Sequence, residues 1–142
     1  MRQCRGFTMV ELLVATVILG VLAAIAVVSL MSGFEKARQR ATMADMRSIA
    51  GAIGSYEVDN NTTPAGATIA DLAGALVPRY ISALPTADHW THPLAYESDG
   101  TGYSLESFGK DGVPGADISL STRFDFDLDI VLVDGAFVAA PE

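Results

Sequence analysis

The chain has 142 residues, half of them apolar, a single cysteine and a net charge of −8, which bounds it to one modest core and excludes an intramolecular disulfide. The charge is uneven: residues 1–48 carry six basic and three acidic side chains, whereas residues 49–142 carry three basic and fourteen acidic ones. Nucleic-acid binding is excluded, because phosphate neutralisation needs clustered Lys and Arg and the acidic part offers only the scattered Arg79, Lys110 and Arg123.

Glu11 is the only charged side chain between Phe7 and Phe34. A stretch of this length exceeds the short apolar region of an ordinary signal peptide and predicts a membrane-crossing helix over 7–34 that stays in the mature protein. Arg2 and Arg5 precede it while Lys36, Arg38 and Arg40 follow it, so the distribution of positive charge does not decide its orientation.

Helical periodicity continues through Ala37, Ala41, Ala44, Met46, Ile49, Ala52, Ile53 and Tyr56, which recur at spacings of three and four. Short polar side chains at Asp59, Asn60 and Asn61 and then Pro64 predict its end. A second, shorter helix is predicted over 69–77, with Thr68 as N-cap and Pro78 behind it. After Asp88 the pattern changes to strands. Leu94–Glu97 and Tyr103–Phe108 flank an Asp99-Gly100 turn, and Phe124–Val133 alternates apolar residues with Asp before an Asp134-Gly135 turn.

The front of the chain carries the most specific signal. Gly6-Phe7-Thr8-Met9-Val10-Glu11, followed by the apolar helix, resembles the processing site of type IV prepilins and pseudopilins. The resemblance implies that a membrane prepilin peptidase cuts between Gly6 and Phe7, that Phe7 is then methylated, and that Glu11 guides assembly. Physical reasoning agrees with that role. A carboxylate on a membrane helix costs roughly 2.5 to 3.5 kcal/mol at the bilayer centre, and no basic residue lies near it in its own helix. The amine of Phe7 on a neighbouring subunit would supply the counter-charge and select one axial register; the alternative is a carboxylate solvated at the headgroup level.

Further segments resemble the major pseudopilins of type II secretion. Tyr56-Glu57-Val58-Asp59-Asn60 with Pro64 looks like the end of their long helix, with Thr63 in place of the usual aromatic. Val77-Pro78-Arg79-Tyr80-Ile81 and Leu84-Pro85 look like the segment after it. Asp88-His89-Trp90, Pro93 and Tyr96 resemble the family's Asp-Pro-Trp-Gly stretch, with His89 and Thr91 as departures. Val28 stands where filament-forming relatives often have a proline, so the helix lacks one expected weak point.

Ser107-Phe108-Gly109-Lys110-Asp111-Gly112 and Ala116-Asp117-Ile118-Ser119 resemble the calcium loop of major pseudopilins. This implies calcium held by Asp111, Asp117, Ser107 and Ser119, the alternative being a solvated acidic turn; hard cations take six to eight oxygen ligands. Asp125, Asp127 and Asp129 alternate with apolar residues and would share one face of a strand, either solvated, facing a cation, or facing the basic residues Lys36, Arg38, Arg40 or Arg47 of a neighbour. His89 and His92 have a metal-pair spacing that Pro93 disfavours. No catalytic order of Ser, His, Asp or Cys and no phosphate loop is present, so the expectation is a protein that is not an enzyme.

These readings combine into an α+β fold: a leader over 1–6, a membrane and polymerisation helix over 7–34, and a globular domain over 35–142 in which the helix's second half packs on a small antiparallel sheet. The resemblance implies a homopolymer in the bacterial inner membrane, crossing once with its globular domain in the periplasm and surrounded by lipid before assembly. Its implied partners are prepilin peptidase, an inner-membrane assembly platform and minor pseudopilins. Three functions stay open: major pseudopilin of type II secretion, major pilin of a surface pilus, and a membrane-tethered binding domain that does not polymerise.

Overall fold

The computed structural model describes residues 6–115 and 125–140. The chain divides into two compact units, Met1–Glu35 and Lys36–Glu142. The described part of the first unit is the beginning of helix α1, which runs from Met9 to Asn60. Its side chains find no cover among the described residues: Met9 is 89% exposed and Val28 72%, and none of the apolar stretch long enough to cross a membrane is buried.

In the second unit α1 buries Gln39, Thr42, Met43, Met46, Ile49, Ala52 and Ile53, a stripe at the three- and four-residue spacing of a helix packed on one side. The sequence pattern predicted Met46, Ile49, Ala52 and Ile53 correctly but began on the wrong face. Ala37 and Ala44 are exposed, and Gln39, Thr42 and Met43 take the buried positions. Thr42 is tolerated there because its hydroxyl accepts the His89 N–H at 3.1 Å, which satisfies a polar group that burial would otherwise penalise. The helix stops as predicted. Asn61 takes the left-handed conformation (φ 54) and its N–H reaches the Glu57 carbonyl at 2.8 Å, a common closing arrangement for a helix.

The predicted second helix is shorter and irregular: a 3-10 turn over Ile69–Asp71 leads into α2, Leu72–Leu76. Val77 is extended, as steric conflict with the ring of Pro78 favours. Asp71 Oδ2 accepts the Thr68 hydroxyl and N–H, both at 2.9 Å, and the Ala67 N–H at 3.1 Å. These bonds, with those of Thr68 foremost, hold its carboxyl below the usual aspartate value.

Four antiparallel strands follow in sequence order: β1 Ala95–Ser98, β2 Tyr103–Ser107, β3 Ile130–Val133 and β4 Ala136–Ala139. The β1–β2 turn is the predicted Asp99-Gly100 turn. Asp99 Oδ1 accepts the Thr101 hydroxyl at 2.7 Å and the Thr101 N–H at 2.9 Å, which lowers its acid range. The β3–β4 turn uses Asp134 (φ 47) and Gly135 (φ 82), the two positive dihedrals a tight hairpin with right-handed strand twist requires. Leu105, Ile130 and Leu132 are fully buried in one core with Met46, Ile49, Ile53, Leu72 and Leu76. This is the α+β arrangement predicted, with the helix stripe and the sheet sharing one hydrophobic cluster.

One strand was over-predicted. The ladder begins at Ile130, and residues 126–128 bend instead of pairing. The reason is local: the Lys110 N–H takes the Phe126 carbonyl at 2.7 Å, and the Asp127 N–H is drawn to Asp125 Oδ1 at 3.2 Å. Backbone groups needed for a ladder are already bonded to the loop. Asp125, Asp127 and Asp129 therefore do not share a strand face. Asp125 and Asp127 are exposed, whereas Asp129 is 1% exposed and accepts the Gly115 N–H at 2.8 Å.

Candidate functional site

Two regions carry the predicted functional residues. At the start of α1, Thr8 and Glu11 bond reciprocally. Glu11 Oε2 accepts the Thr8 N–H at 2.9 Å and the Thr8 hydroxyl at 2.8 Å, while the Glu11 N–H reaches the Thr8 hydroxyl oxygen at 3.2 Å. This is a capping box, which satisfies amide groups that a helix start leaves open. Thr-x-x-Glu is a readable sequence signal for it, and the reading of Glu11 as a carboxylate lacking a partner in its own helix missed it. The apolar surroundings remain. Phe7, Val10, Leu12 and Leu13 are 76%, 71%, 59% and 64% exposed, so Glu11 sits in a fully presented apolar surface. Gly6 lies just before this start and a Cβ there would meet nothing within 4 Å.

The second region is the acidic loop after β2. Asp88 is its buried anchor: its Oδ1 accepts the Trp90 and His92 N–H groups, both at 2.9 Å, and its Oδ2 accepts the Ser107 hydroxyl at 2.8 Å. Ser107 is thus turned into the core, fully buried, and is removed from the exposed donors to which sequence similarity assigned it. His92 extends the network. Its Nδ1 lies 3.0 Å from the Gly109 carbonyl, and since a carbonyl only accepts, Nδ1 carries the proton. Its ring lies flat against Gly112, where a Cβ would fall 2.8 Å from it. His89 instead pairs with Asp45 at 3.1 Å. The two histidines thus have separate partners and do not form a metal pair.

Gly109 adopts φ +63 and presses on the opposite limb, where a Cβ would lie 2.7 Å from the Phe126 carbonyl and 2.8 Å from that of Leu128. Only glycine satisfies both the dihedral and the approach. The loop's throat thus gathers two backbone carbonyls, and Asp111, Asp125 and Asp127 stand exposed in the same two limbs. Oxygen donors of this kind suit a hard cation such as calcium. Among the described residues no three acidic, histidine or cysteine side chains converge into a metal-holding group; Asp117 and Ser119 lie outside the described residues.

The chain matches two family models. Residues 1–27 match the prokaryotic N-terminal methylation motif, and residues 29–121 match type II secretion system protein G. It is 35% identical over 127 residues to type II secretion system core protein G of Pseudomonas aeruginosa, covering 80% of this chain and 89% of that protein. The Aeromonas hydrophila protein of the same name is 36% identical over 129 residues, covering 82% and 90%. That of Escherichia coli K12 is 35% identical over 126 residues, covering 80% and 86%. With similarity running from the helix start through the acidic loop, the chain belongs to the type II secretion system protein G family.

Proposed function

We propose that this chain is the major pseudopilin of a type II secretion system, a structural subunit that polymerises and performs no catalysis. The observation that carries the reading is the fully exposed apolar half of α1 in a chain of the protein G family. Such a surface has no partner in its own subunit. It is stable only in lipid or against other apolar helices, and packing of identical helices is the arrangement open to a homopolymer. Family membership favours this reading over a surface pilus or a tethered domain that stays monomeric.

In this reading the precursor sits in the inner membrane with its globular domain in the periplasm. Prepilin peptidase cleaves after Gly6, Phe7 becomes the methylated terminus, and Glu11 of one subunit meets the Phe7 amine of another while keeping its cap on Thr8. The N-terminal methylation motif supports the cleavage site. Deleting the chain should trap folded exported enzymes in the periplasm, and mass spectrometry of assembled filaments should find methylated Phe7. Undiminished export without the chain would overturn the proposal.

The acidic loop is proposed to take calcium, with Asp111 and Asp117 as carboxylate ligands, Ser119 and loop carbonyls adding oxygens, and Asp125 or Asp127 contributing from the opposite limb. Calcium would cross-link the two limbs in a domain that has no disulfide.

A further inference from the structure

The globular unit contains a cleft of about 360 Å³ that polymerisation through the apolar helix does not use. One wall is α1, with Ala50, Gly54 and Glu57; the other is the turn end of the sheet, with Tyr103, Asp134 and Gly135. The cleft exists because Ala50 and Gly54 are too short to fill it, and a Cβ on Gly54 would still meet nothing within 4 Å. Asp134 is fixed at its rim by the hairpin turn and by accepting the Tyr103 N–H at 2.9 Å. Glu57 faces it from the exposed side of α1 and has no ion pair among the described residues.

Tyr103 is 7% exposed. Burial, then the charges of Asp134, Tyr96 and Glu57, push its phenol up to about 12, so it stays a neutral hydroxyl between two carboxylates. Negative charge is therefore gathered in a partly enclosed space that, among the described residues, no basic side chain lines.

Among the described residues, the arginines of the same chain are either engaged elsewhere or too distant. Arg79 pairs with Asp59 at 3.0 Å and Arg47 stacks on Phe137 at 4.9 Å. Arg38 and Arg40 are exposed on α1 and have no ion pair among the described residues. They precede Glu57 by 19 and 17 residues, about 25–29 Å along a helix rising about 1.5 Å per residue. No arginine side chain spans that distance, so these cations cannot fill the cleft of their own chain.

We propose that in the filament this acidic cleft receives Arg38 or Arg40 of a second copy of the chain. The inference rests on the polymerisation reading. A guanidinium offers a planar fork of donors that two carboxylates can share, and an enclosed pair is screened less by salt than one on an open surface. The contact also carries a geometric consequence. With parallel helices it joins copies displaced by about 25–29 Å, whereas a Phe7 amine on Glu11 joins copies displaced by about 6 Å, four residues of helix rise. The two contacts belong to different neighbours, so together they would fix the subunit in two directions.

The test uses full-length chains carrying Cys4→Ser, assembled in cells. One chain carries Glu57→Cys, and a co-produced chain carries Arg40→Cys or Arg38→Cys. Filaments treated with a short bismaleimide should yield a cross-linked dimer with at least one pair, at several times the level seen when either variant is present alone. Adding Gly54→Leu to the Glu57→Cys chain fills the cleft without altering charge and should reduce that product at least fivefold. Filaments that form but give no dimer above the single-variant controls, or a dimer indifferent to Gly54→Leu, overturn the cleft contact and leave polymerisation standing. An unaltered chain that forms no filaments overturns the polymerisation reading and the cleft contact with it.

Discussion

Replacing Asp88 tests whether one buried carboxylate organises the loop region. Its side chain is 1% exposed and accepts from the Trp90 N–H, the His92 N–H and the Ser107 hydroxyl. Asp88→Ala leaves these donors without an acceptor, at roughly 1–3 kcal/mol for each that stays buried. Since the His92 N–H is only half-buried, the expected loss is about 3–5 kcal/mol, a large part of the 5–15 kcal/mol typical of a domain. At about 4–8 °C per kcal/mol for a domain near this size, the melting temperature should fall by roughly 12–40 °C. Asp88→Asn keeps an acceptor oxygen for both N–H groups, and its amide can donate to Ser107 by rotation of the hydroxyl, so it should cost about 1–2 kcal/mol. Trp90 is the only tryptophan and is buried beside this network, so its fluorescence reports the transition directly. An Asp88→Ala variant melting within a few degrees of the parent would refute the network. Equal losses for Ala and Asn would show that charge, and not acceptance, is what matters.

Gly6 replaced by a bulkier residue should leave uncleaved precursor in the membrane, read as an intact leader by mass spectrometry. Glu11→Leu should insert at least as readily but enter filaments poorly, having lost both its cap on Thr8 and its counter-charge; filament counts by microscopy decide this. Thr91 holds φ +77, costly for a β-branched residue, so Thr91→Gly should stabilise by about 0.5–1 kcal/mol after the gain in unfolded-chain freedom is subtracted, a rise of a few degrees in a thermal melt. Calcium at a hundredfold excess over its dissociation constant should add about 2.7 kcal/mol, magnesium should substitute poorly, and Asp117→Ala should abolish the effect; a melting point indifferent to millimolar calcium would remove the metal. The lowered carboxyls of Asp71 and Asp99 add stability that is present above the ordinary aspartate value of 3.8 and is lost as pH falls through their lower folded values. Asp71→Asn should therefore flatten the acid limb of the stability profile.

The apolar helix, its processing motif, the helix stop at Asn61 and both hairpin turns were legible because each depends on residues close together in the chain. An apolar run this long, with Glu11 as its single charge, needs lipid or other apolar helices around it whatever follows it, and Asp-Gly and Asn favour positive φ by their own sterics. The register of the amphipathic stripe was read only in part. Ala37 and Ala44 fit the helical period as well as Met43 does, and Thr42 becomes a core residue only because the distant His89 N–H bonds to its hydroxyl.

The acidic end shows the limit most clearly. Asp125, Asp127 and Asp129 alternate as a strand would, yet the Lys110 N–H takes the Phe126 carbonyl, Gly109 packs closely against this limb, and Asp129 alone turns inward to the Gly115 N–H. Ser107 reads as a cation ligand by sequence similarity, while in the fold its hydroxyl serves Asp88, nineteen residues away. The sequence by itself determined that a lone carboxylate sits on an apolar helix and that the body is acidic, since both are properties of composition along the chain. Which carboxylates are buried, which share the cleft beside Tyr103, and which cations cannot reach it were decided only by tertiary structure, because hydrogen-bond acceptors and charges act on whatever lies within a few ångströms, however far apart in sequence.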